Sequence, residues 1–406
     1  MENKITKIIA EEIRDSRGNP TILVSVYVGE KWGTFAVPSG ASTGLHEAFE
    51  LKDPDKGVKS VLEKINQILV PALIGKNVLN QKEIDLAMIA LDGTSNKSNL
   101  GGNALIGLSI ACAKVAAKIQ KIELYEYLRT LAEIKPSRKV PHLYMNLING
   151  GVHARNDLAF QEYHIVPQTE NIEEAVDIGL RIQDSLKEIF LEELGEDSLT
   201  LGDEGGYAPQ INDIQKPLEY LQKAIIENNL TDKVFLALDV AASSFYQNEK
   251  YLMNGEEKTK EEFLEVYDFL LKNYKILSIE DPFEEEDFSS FAKLKKNYPN
   301  LIVMGDDLTV TNKTLLQKAI DLDCINAMII KPNQIGTLTE TLETMALARE
   351  NNIELIVSHR SGETDDDFIA DLAYAFGTFG LKSGSPLKEE RMIKYQRLIN
   401  ILKNEK

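Results

Sequence analysis

The chain is poor in cysteine, with only Cys112 and Cys324 in 406 residues. Both sit in apolar surroundings, SIACAKVA and DCINAMII, without metal-type spacing. Neither a disulfide scaffold nor a zinc site is indicated, and buried free thiols are expected. No uncharged apolar run reaches membrane-spanning length. The first residues, MENKITKIIAEEIRD, carry charge throughout and no apolar signal core, so a cytoplasmic location is expected. No G-K-[ST] follows the small-residue loop SGASTG, and no glycine-rich dinucleotide fingerprint follows the first strand. Excess positive charge is missing too. The formal net charge is −19, which repels phosphate backbones and anionic lipid and argues against nucleic acid and membranes as partners. An anionic substrate would need local positive charge from a metal, Lys or Arg.

What is present is ordinary for a soluble globular chain: 43% apolar and 27% charged residues. The length suits one large domain plus a smaller one. TILVSVYV (21–28) alternates like a half-buried strand, and ALIGLSIACAKVAAKI (104–119) reads as a buried helix. The polar, Pro-containing EIKPSRKVP (133–141) is the best boundary, giving units 1–134 and 135–406.

From about residue 230 a rhythm sets in. The apolar runs VFLALD, ILSIED, LIVMGDD, AMIIKPN and ELIVSHR each stop abruptly at polar residues. They close on Asp239, Glu280, Asp306, Lys331 and His359, spaced 41, 26, 25 and 28 residues apart, room each time for a strand, a helix and two loops. Thr259 with Glu262 and Thr337 with Glu340 have capping-box spacing at helix starts. Continuous apolar strands alternating with helices imply a parallel sheet covered by helices. The number of units favours a closed barrel, whose strand ends converge on one face.

Three carboxylates meeting there, Asp239, Glu280 and Asp306, would repel one another without a cation or protons. Oxygen-only ligands suit a hard ion such as Mg2+; any one acid alone reads better as a helix cap or a solvated loop acid, but three at matching strand ends favour metal. Within SIEDPFEEED (278–287), only Glu280 ends the apolar strand. Asp281, before Pro282, suits a loop role, and Glu284 to Asp287 suit the next helix N-terminus. Lys331, after NAMII, is either a desolvated base of lowered pKa or a partner to one of the carboxylates. GDEGGYAP (202–209) can bend Glu204 into the cavity or be a plain turn. HRSGETDDD (359–367) suits an anion or a helix cap formed by Thr364 and Asp367. His153 follows a glycine pair in NGGVHARND, whereas His46, His142 and His164 read as structural or surface residues.

Together these segments closely resemble the enolase family. The resemblance runs through DSRGNPT (15–21), VPSGASTG (37–44), LDGTSNKSNLGGNA (91–104), NGGVHA (149–154), GDEGG, SIEDPF, GDDLTVTN (305–312), KPNQIGT (331–337), SHRSGET and LKSGSP. It implies an α/β chain: a C-terminal eight-unit β/α (TIM-like) barrel, its first units irregular, with a smaller N-terminal α+β domain. The implied reaction is Mg2+-dependent, reversible dehydration of 2-phospho-D-glycerate to phosphoenolpyruvate, with Lys331 as base and Glu204 as acid. Asp239, Glu280 and Asp306 would hold the first of two Mg2+ ions, and Ser42 would reach the second. His153, Gln161, Glu162, His359, Arg360, Ser361 and Lys382 would line the substrate, Arg360 and Ser361 at its phosphate. A homodimer or higher homo-oligomer is also implied. The chain departs from the family pattern at the short ELKDPDKGV, at Arg155, and at Gln396 and Arg397. Two other readings remain at this stage, a related dehydratase acting on another carboxylate and an inactive scaffold paralogue. SHRSGET and Lys382 favour the phosphorylated substrate, and the complete acid, base and metal set opposes the scaffold.

Overall fold

In the computed structural model of the chain, residues 3–41 and 43–405 are described. The N-terminal region opens with an antiparallel meander, β1 (Lys7–Arg14), β2 (Pro20–Val28) and β3 (Lys31–Ala36). The expected alternation in β2 buries Ile22, Val24 and Val26, and the sheet packs on the helix Gly102–Gln120. Gly33 allows the close approach, because a Cβ there would lie 2.4 Å from the Val115 nitrogen. The helix is long and apolar enough to cross a membrane, but 83% of that stretch is buried inside the protein, as for a core helix.

After residues 132–141, which contain no helix or strand, the barrel begins. Its strands are β4 (His142–Asn149), β5 (Glu162–Pro167) and β6 (Val234–Asp239). A small sheet, β7 (Tyr246–Gln247), β8 (Lys250–Met253) and β9 (Glu256–Lys258), interrupts. Then follow β10 (Ile276–Glu280), β11 (Ile302–Gly305), β12 (Ala327–Ile330), β13 (Glu354–Ser358) and β14 (Gly380–Lys382). The eight close in the order β10-β11-β12-β13-β14-β4-β5-β6. All neighbours are parallel except β5, which runs against both β4 and β6. Tyr144, Val166, Ala237, Met304, Ala327, Ile329 and Ile356 form a cluster drawn from six of these strands, a packed interior rather than a pore.

The helix-start signals are realised unevenly. Thr259 and Glu262 form a reciprocal capping box, and Thr337 accepts from the Glu340 N–H. The cap expected from Thr364 and Asp367 does not form; Asp366 accepts the Phe368 N–H instead. The N-terminal region also helps cap a barrel helix. Asp85 Oδ2 accepts the Thr339 N–H at 3.0 Å and Ser109 Oγ the Leu338 N–H at 3.0 Å, satisfying donors that the helix Leu338–Glu350 leaves free. Arg397, one of the departures from the family pattern, ties the C-terminal helix to Asp371 (2.7 and 2.8 Å) and to Glu123 (2.8 Å).

His142 is buried at the start of β4 against Phe379. Burial, and then the Arg138 charge, pushes its pKa from 6.5 down to about 4. Between those values the unfolded chain binds a proton that the folded chain refuses. Stability is therefore full above pH 6.5 and declines as pH falls towards 4, by up to roughly 3 kcal/mol. Buried His359 titrates in the same window, so His142→Asn should remove part of the slope in denaturation midpoint between pH 6.5 and 4. An unchanged slope would show that His142 does not contribute to it.

Candidate active site

Strand register assembles the site. Glu280 pairs with Asp239 across β10 and β6, and Asp239 with Glu162 across β6 and β5. Because β5 is reversed, its first residue stands where its neighbours end, so three carboxylates line up in one row at the mouth. Lys382, closing β14, reaches across to them. Its Nζ is 2.7 Å from Glu280 Oε2, 2.9 Å from Asp239 Oδ2 and 3.3 Å from Glu162 Oε2. Asp306, just past β11, pairs with Lys331, just past β12, and accepts from Gln334 Nε2 at 2.9 Å.

The second half of the site surrounds Glu204. Its Oε2 accepts from Asn146 Nδ2 at 3.0 Å and lies 3.2 Å from His359 Nε2; its Oε1 is 3.6 Å from His153 Nδ1. The GDEGG loop can lie this close because of its glycines: a Cβ on Gly206 would meet Asn149 Oδ1 and the β4 backbone at 2.8–2.9 Å. Gln161 donates to Asp239 at 3.3 Å. Arg360 is bound in a fork by Glu47 (3.0 and 3.1 Å) and donates to Asn333 at 2.9 Å. Ser361 Oγ accepts from the Ala41 N–H at 2.6 Å. His153, Gln161, Glu162, Glu204, Lys331, His359, Arg360, Ser361 and Lys382 line one small recess. Every expected substrate-lining and proton-transfer residue is thus brought together. Ser42 lies outside the described residues.

The charges are strongly coupled. Burial raises Glu280 well above the usual carboxylate range, with Asp239 and Asp306 adding to it. Burial likewise raises Asp239, against the pull of Lys382. Burial would raise Asp306 too, but Lys331 outweighs it and holds the acid low. Of the two readings of Lys331, the partner to a carboxylate is the one seen here. Burial alone would lower it, but contact with Asp306 holds its ammonium above its ordinary value. Burial would also lower His153, yet Glu204 and Glu162 hold it up, whereas burial pushes His359 down to about 4. For Glu204, burial and Glu162 push upward, but His359 and His153 outweigh them and leave it below its ordinary range.

The donor set fits a hard cation. It consists of oxygens, two ammonium groups are already drawn onto it, and Glu280 Oε1 is buried without a hydrogen-bond partner. Lys382 stands against Asp239 and Glu280, and the ligand groups that approach within 4.8 Å of one another differ from the expected trio. Among the described residues they are Asp281 with Asp306 and Asp307, and His153 with Glu162 and Glu204. Asp281 already accepts the N–H groups of Asp306 (2.9 Å) and Asp307 (2.7 Å), the loop role expected of it.

Some participants lie outside the sequence reading. His164, expected to be structural or surface, is buried with Nε2 2.6 Å from Glu162 Oε2. The period-2 spacing from Glu162 was the available signal. Asn146, a lone amide in the apolar strand LYMNLI, was signalled by being polar in a buried run. Glu47 and Arg391 carry no such local signal.

The family comparisons agree with this architecture. Residues 137–405 match the model for the enolase C-terminal TIM barrel domain, and residues 5–128 the enolase N-terminal domain. The chain belongs to the enolase family. Its relatives include a protein named enolase from Methanocaldococcus jannaschii, 45% identical over 405 residues, covering 98% of this chain and 95% of that one. Proteins named enolase from Thermococcus gammatolerans and Pyrococcus furiosus are each 45% identical over 415 residues, covering 99% of this chain and 95% of theirs. The recess at the barrel mouth lies within the domains so matched.

Proposed function

We propose that Lys331 and Glu204 are the base and acid of a reversible dehydration of 2-phosphoglycerate to phosphoenolpyruvate, which makes this enolase-family chain a hydro-lyase. The observation that carries this reading is their convergence on one recess lined also by Arg360 and Ser361. The C2 proton beside a carboxylate is very weakly acidic, and hydroxide leaves poorly, so the reaction needs two groups of opposite protonation. Lys331 takes the C2 proton. Glu204, ionised while His359 and His153 hold it low, donates to the departing C3 hydroxyl only after taking up a proton. Arg360 and Ser361 hold the phosphate, and Lys382, His153 and Gln161 fix the rest of the substrate.

Asp239, Glu280 and Asp306 would hold one Mg2+, and Ser42 would serve a second. Bound there, Mg2+ would supply positive charge to offset the substrate carboxylate, and with Asp306 engaged by the metal, Lys331 would lose the charge that otherwise holds its ammonium up. That a Lys or His base works with one or two Mg2+ in enolase-superfamily sites is a general pattern already known, not a result of this geometry. We further propose a division near residues 134 and 135, a cytoplasmic location, and a homodimer or larger homo-oligomer.

Purified protein with 2-phosphoglycerate and Mg2+ should develop the ultraviolet absorbance of phosphoenolpyruvate, and a chelator should abolish it. No absorbance change from folded protein at any Mg2+ concentration would overturn the assignment.

A further inference from the structure

The His359 ring is held between two groups of opposite charge. On one side is Arg391, from the helix Glu389–Asn404, whose side chain is fully buried. Its Nη1 lies 2.7 Å from His359 Nδ1 and 2.6 Å from the Arg360 carbonyl oxygen. Its Nη2 donates to the carbonyls of Ser361 (2.7 Å) and Asp203 (3.1 Å). On the other side, His359 Nε2 is 3.2 Å from Glu204 Oε2, near it but not in a well-formed hydrogen bond. Gly384 makes room for this contact, since a Cβ there would lie 2.9 Å from His359 Cε1 and 2.7 Å from the Glu204 carbonyl oxygen.

A guanidinium has donors only and stays charged in proteins. Nδ1 must therefore present its lone pair to Arg391, and the single proton of the neutral imidazole must sit on Nε2. We propose that Arg391 is a positioning residue for the dehydration, fixing His359 as the Nε2–H tautomer directed at Glu204. This rests on Glu204 being the acid. The consequence is chemical: a nitrogen that already carries its proton cannot take the one that Glu204 must deliver to the leaving hydroxyl. Once that proton is gone, the Glu204 carboxylate accepts from the same Nε2–H. The opposite tautomer would aim a lone pair at Glu204 and compete for its proton. Burial and the Arg391 charge also favour the neutral ring, offsetting the pull of Glu204.

The test is the tautomer itself. There are five histidines, so imidazole nitrogen shifts of 15N-labelled protein can be assigned to His359 by their loss in His359→Gln. At pH 7 the expected pattern is a neutral ring with Nε2 protonated and Nδ1 bare. Arg391→Met should shift His359 towards the Nδ1–H form and lower kcat by about 10²-fold, with KM changed by less than about threefold. Arg391→Lys, which keeps one donor, should restore the tautomer and much of kcat. If Arg391 served only to tie the three carbonyls, Arg391→Met would leave the tautomer unchanged and lose rate only with folded fraction; that result overturns the proposal. So does a wild-type His359 protonated on Nδ1 or on both nitrogens, which needs no variant to fold. A wild type with no dehydratase activity but an Nε2–H ring would overturn the assigned reaction instead, so the two failures are told apart.

Discussion

Lys331→Ala should abolish exchange of the C2 hydrogen of 2-phosphoglycerate with solvent, whereas Glu204→Gln should retain it and lose only dehydration. The two residues occupy different parts of the recess. Lys331 sits with Asp306 past the ends of β11 and β12, while Glu204 is held by Asn146 and faces His359 and His153. A base removed from the first position prevents the carbon–hydrogen bond from breaking at all. An acid removed from the second leaves that bond free to break and re-form, with the hydroxyl unable to depart. Turnover should fall by at least about 10³-fold in each variant. KM should change little, because the phosphate contacts assigned to Arg360 and Ser361 remain. Glu204→Gln keeps an amide oxygen able to accept from Asn146, so the loss should reflect the missing proton rather than a collapsed loop. Deuterium incorporation at C2, followed by NMR alongside phosphoenolpyruvate formation, separates the two steps. Exchange persisting in Lys331→Ala, or vanishing in Glu204→Gln, would exchange or remove the assigned roles.

The barrel half of this site could be read from the sequence because its strands announce their ends. An apolar run that stops at Asp239, Glu280, Asp306 or Lys331 marks both a strand and the residue at its mouth, and the observed strands end at or one residue before these positions. The reversed β5 breaks that rule. Its mouth residue is its first, Glu162, and only the single 3-10 turn Gly151–His153 separates it from β4, so only the family resemblance reached it. Arg391 and Glu47 lie beyond pattern reading for another reason. KEERMIKYQR has the look of a solvated helical face, yet Arg391 and Lys394 are fully buried, Lys394 lying 2.9 Å from Glu363. Their partners lie about thirty residues away in the chain, and no local spacing encodes such a contact. Of the two readings open for Lys331, the partner to a carboxylate is the one seen, because Asp306 touches the ammonium and outweighs its desolvation.

Glu280→Gln should cost most of the Mg2+ affinity and activity, while Glu285→Gln, five residues on, should leave both nearly intact. The run SIEDPFEEED divides by partner rather than by charge. Glu280 is 1% exposed, and its Oε1 is buried without a hydrogen-bond partner. Replacing it with an amide removes a ligand charge and leaves Lys382 with one fewer anionic neighbour in a buried site. Loss of a first ligand of this kind should weaken binding by at least about 100-fold, since changes one step further from the ion already cost about 10- to 100-fold. Asp281 serves backbone N–H groups, and Asp287 caps the helix Phe288–Asn297 while pairing with Lys260 at 2.8 Å. Glu285 and Glu286 are not merely solvated acids. Glu285 accepts the Leu45 N–H at 2.8 Å and Glu286 contacts His46 at 2.8 Å, joining the segment after SGASTG to the barrel rim. A glutamine at 285 keeps a carbonyl oxygen for Leu45, so the join survives the change even though the charge does not. Calorimetric Mg2+ titration of both variants decides the matter. Equal loss in the two would mean that the run acts by its summed charge, and would remove Glu280 from the ligand set.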